Sequence, residues 1–398
     1  MHEFDLLAYA AALLAYGLLS ERLSAWLISA PMFFMFVGLV VGPAVSAICE
    51  VSLDDGVVAF VAEVTLALLL FTEAATIDVR SLFAEKAAPA RMLVLGLPIA
   101  IVLGGVAGYF VLPELGLWPA LLLAALLAPT DAALGAAVVE SEHVPESTRR
   151  AIGVESGLND GLALPAVLAL AGLASMAPAE HEQPILEFLA LQLTLGPLAG
   201  IVVGRFGGAL VGAAAERGRM GSEWQRIAGV GLALSSYALA ETIGGNGFVA
   251  AFVGGLAFPL RSGALAERVH AFGHTAADQM ALLLFMVFGA TSLPGAAFDG
   301  AALLYAALSL TVVRIGAIAL SLVGAGIDRP TTLFMGWFGP RGLASILFAS
   351  VAMEHAEFEG LDRVLAVVHL TVALSVVLHG VSALPFSKRL GRAVAGPA

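Results

Sequence analysis

The chain has 398 residues, of which 60% are hydrophobic and 13% charged, and its formal net charge is −12 at pH 7. A water-soluble domain carries about 25% charged residues, so the composition excludes that class. The negative net charge excludes an electrostatic footprint for nucleic acid. The single cysteine, Cys49, excludes an internal disulfide and a cysteine metal site.

The apolar residues fall in runs of about 20, the length that a helix needs to cross the hydrocarbon core. Lipid offers no partners to backbone polar groups, and the alternating pattern of a membrane barrel does not occur. The acidic start, from Met1 to Asp5, differs from that of a signal peptide, so we expect the first run to remain as a span. We therefore predict an all-α polytopic membrane protein, one domain over 1–398, with thirteen transmembrane helices at approximately 4–20, 23–47, 56–79, 89–112, 118–141, 148–176, 185–214, 223–240, 243–260, 270–292, 300–325, 331–353 and 361–386.

The basic residues follow the predicted spans in alternation. Of the 19 Lys and Arg residues, 15 lie in the loops after odd-numbered spans or in the C-terminal tail, and the other loops hold only Arg363. Because cytoplasmic loops are enriched in Lys and Arg, we expect an outside N-terminus, a cytoplasmic C-terminus and a multi-pass protein of the cell (inner) membrane. The 15 residues are Arg22, Arg80, Lys86, Arg91, Arg149, Arg150, Arg217, Arg219, Arg226, Arg261, Arg268, Arg329, Lys388, Arg389 and Arg392.

Span five contains a proline, Pro129, near its middle, followed by Thr130 and Asp131. Proline removes a helical hydrogen bond and clashes with the preceding turn. The freed carbonyls can bind a cation, and the ends of the two half-helices face the same point. We predict a broken helix with Thr130 and Asp131 at the break. The alternative is an ordinary proline kink that leaves Asp131 solvated at a helix end.

Span six carries four polar side chains within a short stretch. Ser156 and Asp160 are four residues apart and share one helix face, while Glu155 and Asn159 share the neighbouring face. Hydroxyl and carboxylate oxygens suit a small hard cation, and a carboxylate can hold a proton instead. Competition of cation and proton for Asp160 predicts an exchange function. The alternative is a structural ion-pair cluster that binds no substrate.

Two further spans carry ionisable groups that are costly inside a bilayer. Glu73 lies near the cytoplasmic end of span three, where it is a third carboxylate, an inner gate, or a group that reaches water at the surface. In span twelve Pro340 and Arg341 lie between two glycines, which predicts a second broken helix, as an inverted repeat requires. A buried Arg341 needs an acidic partner, and we predict Glu155. The alternative is a local kink with Arg341 paired elsewhere.

The remaining intramembrane groups are expected to be structural. We predict that Arg314, in span eleven, neutralises the broken-helix ends or pairs with an acid on a neighbouring span. Weaker candidates, expected mainly to cap helices, line the outer vestibule or fill interfaces, are Glu63, Glu241, Asn246, Asp278, His369 and His379.

In these motifs the chain resembles the monovalent cation–proton antiporter superfamily, and within it the sodium/proton exchanger branch. The likeness rests on the order and depth of four short motifs and covers essentially the whole chain. It implies a core part, mainly 56–176 and 270–386, that moves against a dimerisation part, mainly 4–47 and 185–260, in a homodimer. The four motifs are Phe71-Thr72-Glu73, Pro129-Thr130-Asp131, Glu155-Ser156-Gly157-Leu158-Asn159-Asp160-Gly161 and Gly339-Pro340-Arg341-Gly342.

The resemblance also implies roles for the site residues. It implies that Asn159 stabilises the crossed helices and that Glu155 pairs with Arg341. In the branch an Asn-Asp pair, here Asn159-Asp160, goes with electroneutral one-for-one exchange, and the lack of an intramembrane lysine agrees. The residues implied to bind Na⁺ or Li⁺, or a proton, are Asp160 with assistance from Asp131, Ser156, Glu73 and the Thr130 backbone carbonyl.

Two departures from the branch leave the choice of cation open. Ala132 occupies a position where a second proline is frequent, and Gly153 one where many members carry Glu, so K⁺/H⁺ antiport is the alternative. A cation channel would need repeated filter residues, and an organic-solute carrier would need an apolar cavity, whereas one acidic cluster favours a bare cation. Without a nucleophile–base set or zinc-ligand spacing, we expect no enzyme activity and no cofactor. The expected partners are the transported cation, the bilayer and a second copy, with no nucleic acid.

Overall fold

A computed structural model of the chain describes residues 3–46, 56–75, 88–175, 185–258, 263–294, 296, 298–355 and 357–394. The regular elements over these ranges are helices, as the composition predicts. Within these ranges, seven continuous helical stretches, three of which contain a π-helical turn, are long and apolar enough to cross a membrane, and four shorter apolar helices accompany them. Some predicted features lie outside the described residues, namely the span ends at 47, 76–79, 176 and 259–260 and the loop residues Arg80, Lys86 and Arg261.

The helical segments correspond in order to the thirteen predicted spans. In chain order they are α1 (Glu3–Ala25), α2 (Ala30–Ser46), α3 (Gly56–Ala75), α4 (Ala88–Arg91), α5 (Leu97–Val111), α6 (Leu117–Leu126), α7 (Ala132–Val139), α8 (Glu146–Ala174), α9 (Ile185–Val202), α10 (Gly208–Glu216), α11 (Ser222–Thr242), α12 (Gly247–Ala257), α13 (Gly263–Thr291), α14 (Gly300–Leu308), α15 (Arg314–Ser321), α16 (Arg329–Trp337), α17 (Leu343–His355) and α18 (Leu361–Val394).

Three predicted spans pass through a π-helical turn in mid-course. The turns are Met92–Gly96 between α4 and α5, Val203–Gly207 between α9 and α10, and Ser309–Val313 between α14 and α15. A π turn adds a residue, so it rotates the following helix by about 100° relative to an uninterrupted one. The third turn therefore decides which way Arg314, the first residue of α15, is directed.

Both predicted helix breaks are present. The fifth span stops at Leu126 and resumes at Ala132, so Pro129 lies between α6 and α7. The twelfth stops at Trp337 and resumes at Leu343, which leaves Pro340 between α16 and α17. We call residues 127–131 the first break and residues 338–342 the second break.

The helices pack in two groups. In one group α5 packs against α6 and α14, and α6 packs against α8. In the other, α2 packs against α13, and α3 against α12 and α13. The division into a core part, mainly 56–176 and 270–386, and a dimerisation part, mainly 4–47 and 185–260, stays a prediction. Which group moves and which dimerises stays a prediction.

Candidate ion-binding site at the helix crossing

The two breaks meet through Asp131. Its backbone N–H donates to the carbonyl of Pro340 over 2.8 Å. Its carboxylate accepts the N–H of Leu134 in α7 over 2.9 Å and the N–H of Leu343, the first residue of α17, over 2.7 Å. One carboxylate thus caps the N-termini of two half-helices, where unpaired N–H groups and the helix dipole favour negative charge.

Two glycines of the second break allow this close approach. A Cβ added at Gly342 would overlap the carboxylate of Asp131, and one added at Gly339 would overlap the guanidinium of Arg314. Any larger residue would force the second break away from both charged groups. The glycines on either side of Pro340-Arg341 are therefore a requirement of the crossing.

The C-terminal ends of the half-helices use different donors. Nη1 of Arg341 donates to the carbonyl oxygens of Ala128 and Pro129, over 2.8 and 3.1 Å, at the first break. At the second break, Nε2 of His379 lies 2.9 Å from the carbonyl oxygen of Trp337, the last residue of α16. The orphan carbonyls that a broken helix leaves are thus met by a guanidinium at one break and an imidazole at the other.

The predicted pairing of Glu155 with Arg341 is wrong. Glu155 forms a bidentate ion pair with Arg314, whose Nη1 and Nη2 lie 2.8 Å from Oε1 and Oε2, and each of these two residues is 2% exposed. The guanidinium of Arg341 is used instead by the carbonyls of the first break. The prediction for Arg314 left two tasks open, and the structure shows the second, an ion pair with an acid on a neighbouring span.

A hydrogen-bond network joins the first break to α8. Oγ1 of Thr130 lies 3.0 Å from Oγ of Ser156, and Nδ2 of Asn159 donates to Oγ1 of Thr130 over 2.5 Å. Oγ1 of Thr130 also lies 3.3 Å from Oε2 of Glu155. Four of the predicted site residues are therefore in direct contact, and all four are buried.

Asp160 is the exception among the buried charged groups of the crossing. It is 7% exposed, and Oδ1 lies buried with no hydrogen-bond partner among the described residues. Within electrostatic range it faces the carboxylates of Glu73, Asp131 and Glu155. A buried carboxylate oxygen without a partner is costly, so Asp160 needs a positive charge or a proton to be stable at this depth.

The predicted ligands are close but not assembled into one cage. Among the described residues, no three His, Cys, Asp or Glu side chains converge in the way that a metal site requires. Both carboxylate oxygens of Asp131 already accept backbone N–H groups. Oδ1 of Asn159, on the same helix as Asp160, also has no hydrogen-bond partner among the described residues.

A cavity of about 1010 Å³ reaches the site from one side of the molecule. Ser156 lies on its wall, together with Glu140 at the end of α7 and residues of the turn between α1 and α2. His274 and Asp278 of α13, whose side chains are 2.8 Å apart, also line it. The cavity therefore connects the Ser156 face of α8 with the side that the charge pattern predicts to be cytoplasmic.

Sequence reasoning missed three contributors to this region. His274 was not a candidate, and Ser375 and His379 were not connected with the second break. The available signal was the spacing of Ser375 and His379, four residues apart on one face of the last predicted span.

Two interrupted helices that cross beside buried carboxylates are an architecture typical of the inverted-repeat class of secondary transporters. The sequence comparison makes the assignment specific. The model of the family described as "Sodium/hydrogen exchanger, transmembrane" matches residues 9–389. The chain belongs to this family, as its motifs predict.

Its relatives include proteins named for two different cations. The chain is 26% identical over 394 residues to a K⁺/H⁺ antiporter NhaP of Alkalimonas amylolytica, covering 94% of this chain and 64% of the relative. It is 25% identical to the Na⁺/H⁺ antiporter NhaH of Halobacillus dabanensis, covering 90% of this chain and 91% of that protein. The chain thus spans just under two thirds of the length of the K⁺/H⁺ relative.

The fold matches solved structures of the sodium proton antiporter MjNhaP1 from Methanocaldococcus jannaschii. The TM-score is 0.71 for the structure at pH 8, at 18% identity, with 98% of this chain and 99% of that chain covered. For an electron-microscopy map of the same protein the TM-score is 0.76, at 19% identity and 98% coverage of both chains. At these identities the likeness concerns the fold.

Proposed function

We propose that the protein exchanges Na⁺ or Li⁺ for H⁺, one for one, with cation and proton bound in turn at Asp160. The observation that carries the proposal is the charge arrangement of the crossing. Glu155 is neutralised by Arg314, and Asp131 caps two helix N-termini. Asp160 is left with a buried oxygen that has no partner among the described residues.

A buried carboxylate without a partner is costly, and either a proton or a bare cation removes that cost. Both bind the same carboxylate, so each displaces the other. If the loaded site opens to one side of the membrane at a time, the gradient of one ion drives the other. The Ser156 hydroxyl, Thr130 and Oδ1 of Asn159 are suitable neutral ligands for a small hard cation.

The other predicted ligands are retained in this proposal with narrower roles. Asp131 contributes negative charge near the cation while its carboxylate accepts two N–H groups. Glu73 lies within electrostatic range of Asp131 and of the cavity residues His274 and Asp278. We propose that Glu73 attracts the cation as it enters from the cavity.

Electroneutral exchange follows from the residues that can change charge. The two lysines, Lys86 and Lys388, lie outside the predicted spans, and the site arginines hold a carboxylate or carbonyls. Asp160 with a proton and Asp160 with Na⁺ carry the same net charge. One ion in each direction therefore moves no net charge across the membrane.

The remaining parts of the proposal concern the setting of the site. We propose a homodimer in the cell (inner) membrane, with the N-terminus outside and one helix group moving against the other. The cavity that reaches Ser156 then represents access from the cytoplasm. The second candidate is K⁺/H⁺ exchange, which is supported by the printed name of one relative.

A proteoliposome assay tests the proposal. Purified protein is reconstituted with a pH-sensitive dye inside, and Na⁺, Li⁺ or K⁺ is added outside with the membrane potential either free or clamped. We expect proton movement with Na⁺ and Li⁺, little with K⁺, and equal rates under both potential conditions.

Three outcomes contradict parts of this proposal. A larger signal with K⁺ would support the second candidate, and a rate that follows the clamped potential would contradict one-for-one exchange. A cation current that continues without proton movement would indicate a channel.

A further inference from the structure

A buried cluster beside the second break takes no part in the proposed ion site. It consists of Ser375 and His379 of α18 and Trp337 at the end of α16. Ser375 is 0% and His379 1% exposed. The two α18 residues are four apart and share a helix face, and that face is directed at the second break.

The cluster forms a chain of hydrogen bonds. The backbone N–H of Arg341 donates to Oγ of Ser375 over 2.6 Å, and this Oγ lies 3.1 Å from Nδ1 of His379. On the other side of the ring, Nε2 lies 2.9 Å from the carbonyl oxygen of Trp337. That carbonyl can only accept, so Nε2 carries the ring proton.

The other ring nitrogen, Nδ1, lies 3.1 Å from the hydroxyl and 2.9 Å from the carbonyl oxygen of Ser375. The contact of Nε2 with the carbonyl of Trp337 needs a proton on Nε2 whichever group of Ser375 Nδ1 meets. The imidazole of His379 is therefore a fixed donor to the end of α16.

The ring is also held mechanically. The indole of Trp337 stacks on the imidazole of His379, with ring centroids 5.0 Å apart and planes inclined by 29°. The indole N–H donates to Oγ of Ser382, one turn further along α18, over 2.9 Å. The end of α16 is thereby attached to α18 at three points: a carbonyl, a ring face and an indole N–H.

These attachments bear on the ion site because the second break holds Asp131. The carbonyl of Pro340 accepts the N–H of Asp131, and the N–H of Leu343 donates to its carboxylate. The attached residues, Trp337 and Arg341, lie on either side of Pro340.

We infer that His379, through its Nε2–H group, is a positioning residue for ion exchange. It holds the end of α16 and, through Ser375, the backbone of Arg341, so the second break keeps Asp131 in place beside Asp160. The inference rests on the proposed function.

The test compares substitutions that keep or remove the donor. His379→Leu removes both ring nitrogens, whereas His379→Gln keeps an N–H donor of similar reach. In proteoliposomes, with rates normalised to inserted protein, we expect His379→Leu to raise the apparent KM for Na⁺ about tenfold, the effect of one lost buried hydrogen bond. His379→Gln is expected to restore the wild-type KM and pH profile, because its amide N–H can still donate to the carbonyl of Trp337.

A second pair of variants keeps the inference testable if His379→Leu fails to insert. Ser375→Ala removes only the link to Arg341 and is expected to raise the KM in the same direction. Its matched control is Thr371→Val, one turn away, because the Thr371 hydroxyl donates to the carbonyl of Val367 in its own helix over 2.7 Å. His369→Leu is the corresponding control for His379→Leu, since His369 packs edge-on against Phe288.

A wild-type KM in the inserted His379→Leu protein or in Ser375→Ala overturns the inference, as does a Gln variant that behaves like Leu. A merely structural role would lower the yield of all three variants while the surviving protein kept its KM. Failure of the proposed function is distinguishable, because the wild-type protein would then show no Na⁺-driven proton movement at all.

Discussion

The first and second breaks interrupt their spans in the same way, yet different side chains meet their carbonyl ends. At the first break the carbonyls of Ala128 and Pro129 face the guanidinium of Arg341. At the second break the carbonyl of Trp337 faces the imidazole of His379. The N-termini of both following half-helices share a single carboxylate, that of Asp131.

The distribution of charged side chains over the two breaks explains how the site can hold one titrating group. A fully symmetric arrangement would place an acid at each N-terminal pair and a base at each C-terminal end. In the actual arrangement Arg314 neutralises Glu155, Arg341 and Asp131 serve the helix ends, and Asp160 has no such partner. The two broken helices thus form the fixed part of the site. The carboxylate that changes its charge, Asp160, lies next to them on α8.

Among the substitutions that test this comparison, the removal of Arg314 is expected to have the largest effect on stability. Arg314→Met leaves the carboxylate of Glu155 buried without its ion pair, and we expect a loss of about 3–5 kcal/mol of stability. Thermal unfolding in detergent, followed by fluorescence-detected size exclusion, measures the effect. The double variant Arg314→Met with Glu155→Leu is the control, and it should recover most of the loss because no unpaired charge remains. A double variant as unstable as the single one would contradict the assigned pair.

Removal of Arg341 is expected to cost less. In Arg341→Met the groups that lose their donor are neutral carbonyls and not a buried charge. We therefore expect a loss of about 1–3 kcal/mol of stability. The same unfolding assay ranks the two variants directly. If Arg341→Met proves as destabilising as Arg314→Met, the division of tasks between the two arginines is wrong.

The smallest effect is expected at the surface, at the cap of α14. Asp299 accepts the N–H groups of Ala301 and Ala302 over 3.0 Å each and forms an ion pair with Arg363. The hydrogen bond from Arg363, followed by the backbone N–H of Ala302, holds the pKa of Asp299 well below its usual range. A depressed folded-state pKa means stability that is present above about pH 4 and is lost as the pH falls further.

Asp299→Asn isolates this contribution, since Asn still caps the helix but carries no charge. We expect a small decrease in the unfolding temperature at pH 7 and a difference from wild type that shrinks below about pH 4. A difference that grows in acid would contradict the sign.

Local sequence signals predicted the frame of this molecule well. Pro129 and Pro340 indicated the two breaks, because the effect of proline on a helix depends on its immediate neighbours. The shared face of Ser156 and Asp160 followed from helical spacing alone. Asn246 caps α12 through the N–H of Val249, as expected for a weaker candidate.

Long-range pairing was less accessible. Two buried arginines were possible partners of Glu155. Which of them pairs with it depends on the π turn before Arg314, and no residue type in the sequence predicts that turn. The double capping by Asp131 requires the second break to be in place, so it is a property of the assembled fold.

The most direct measurement concerns Asp160, the carboxylate that the rest of the crossing leaves uncompensated. Asp160→Asn, inserted and reconstituted beside the matched surface variant Asp299→Asn, is assayed for Na⁺-dependent dequenching of an internal pH dye. The account predicts no sodium-driven proton movement from Asp160→Asn and a wild-type signal from Asp299→Asn. A normal signal from Asp160→Asn would contradict the claim that cation and proton compete for this side chain.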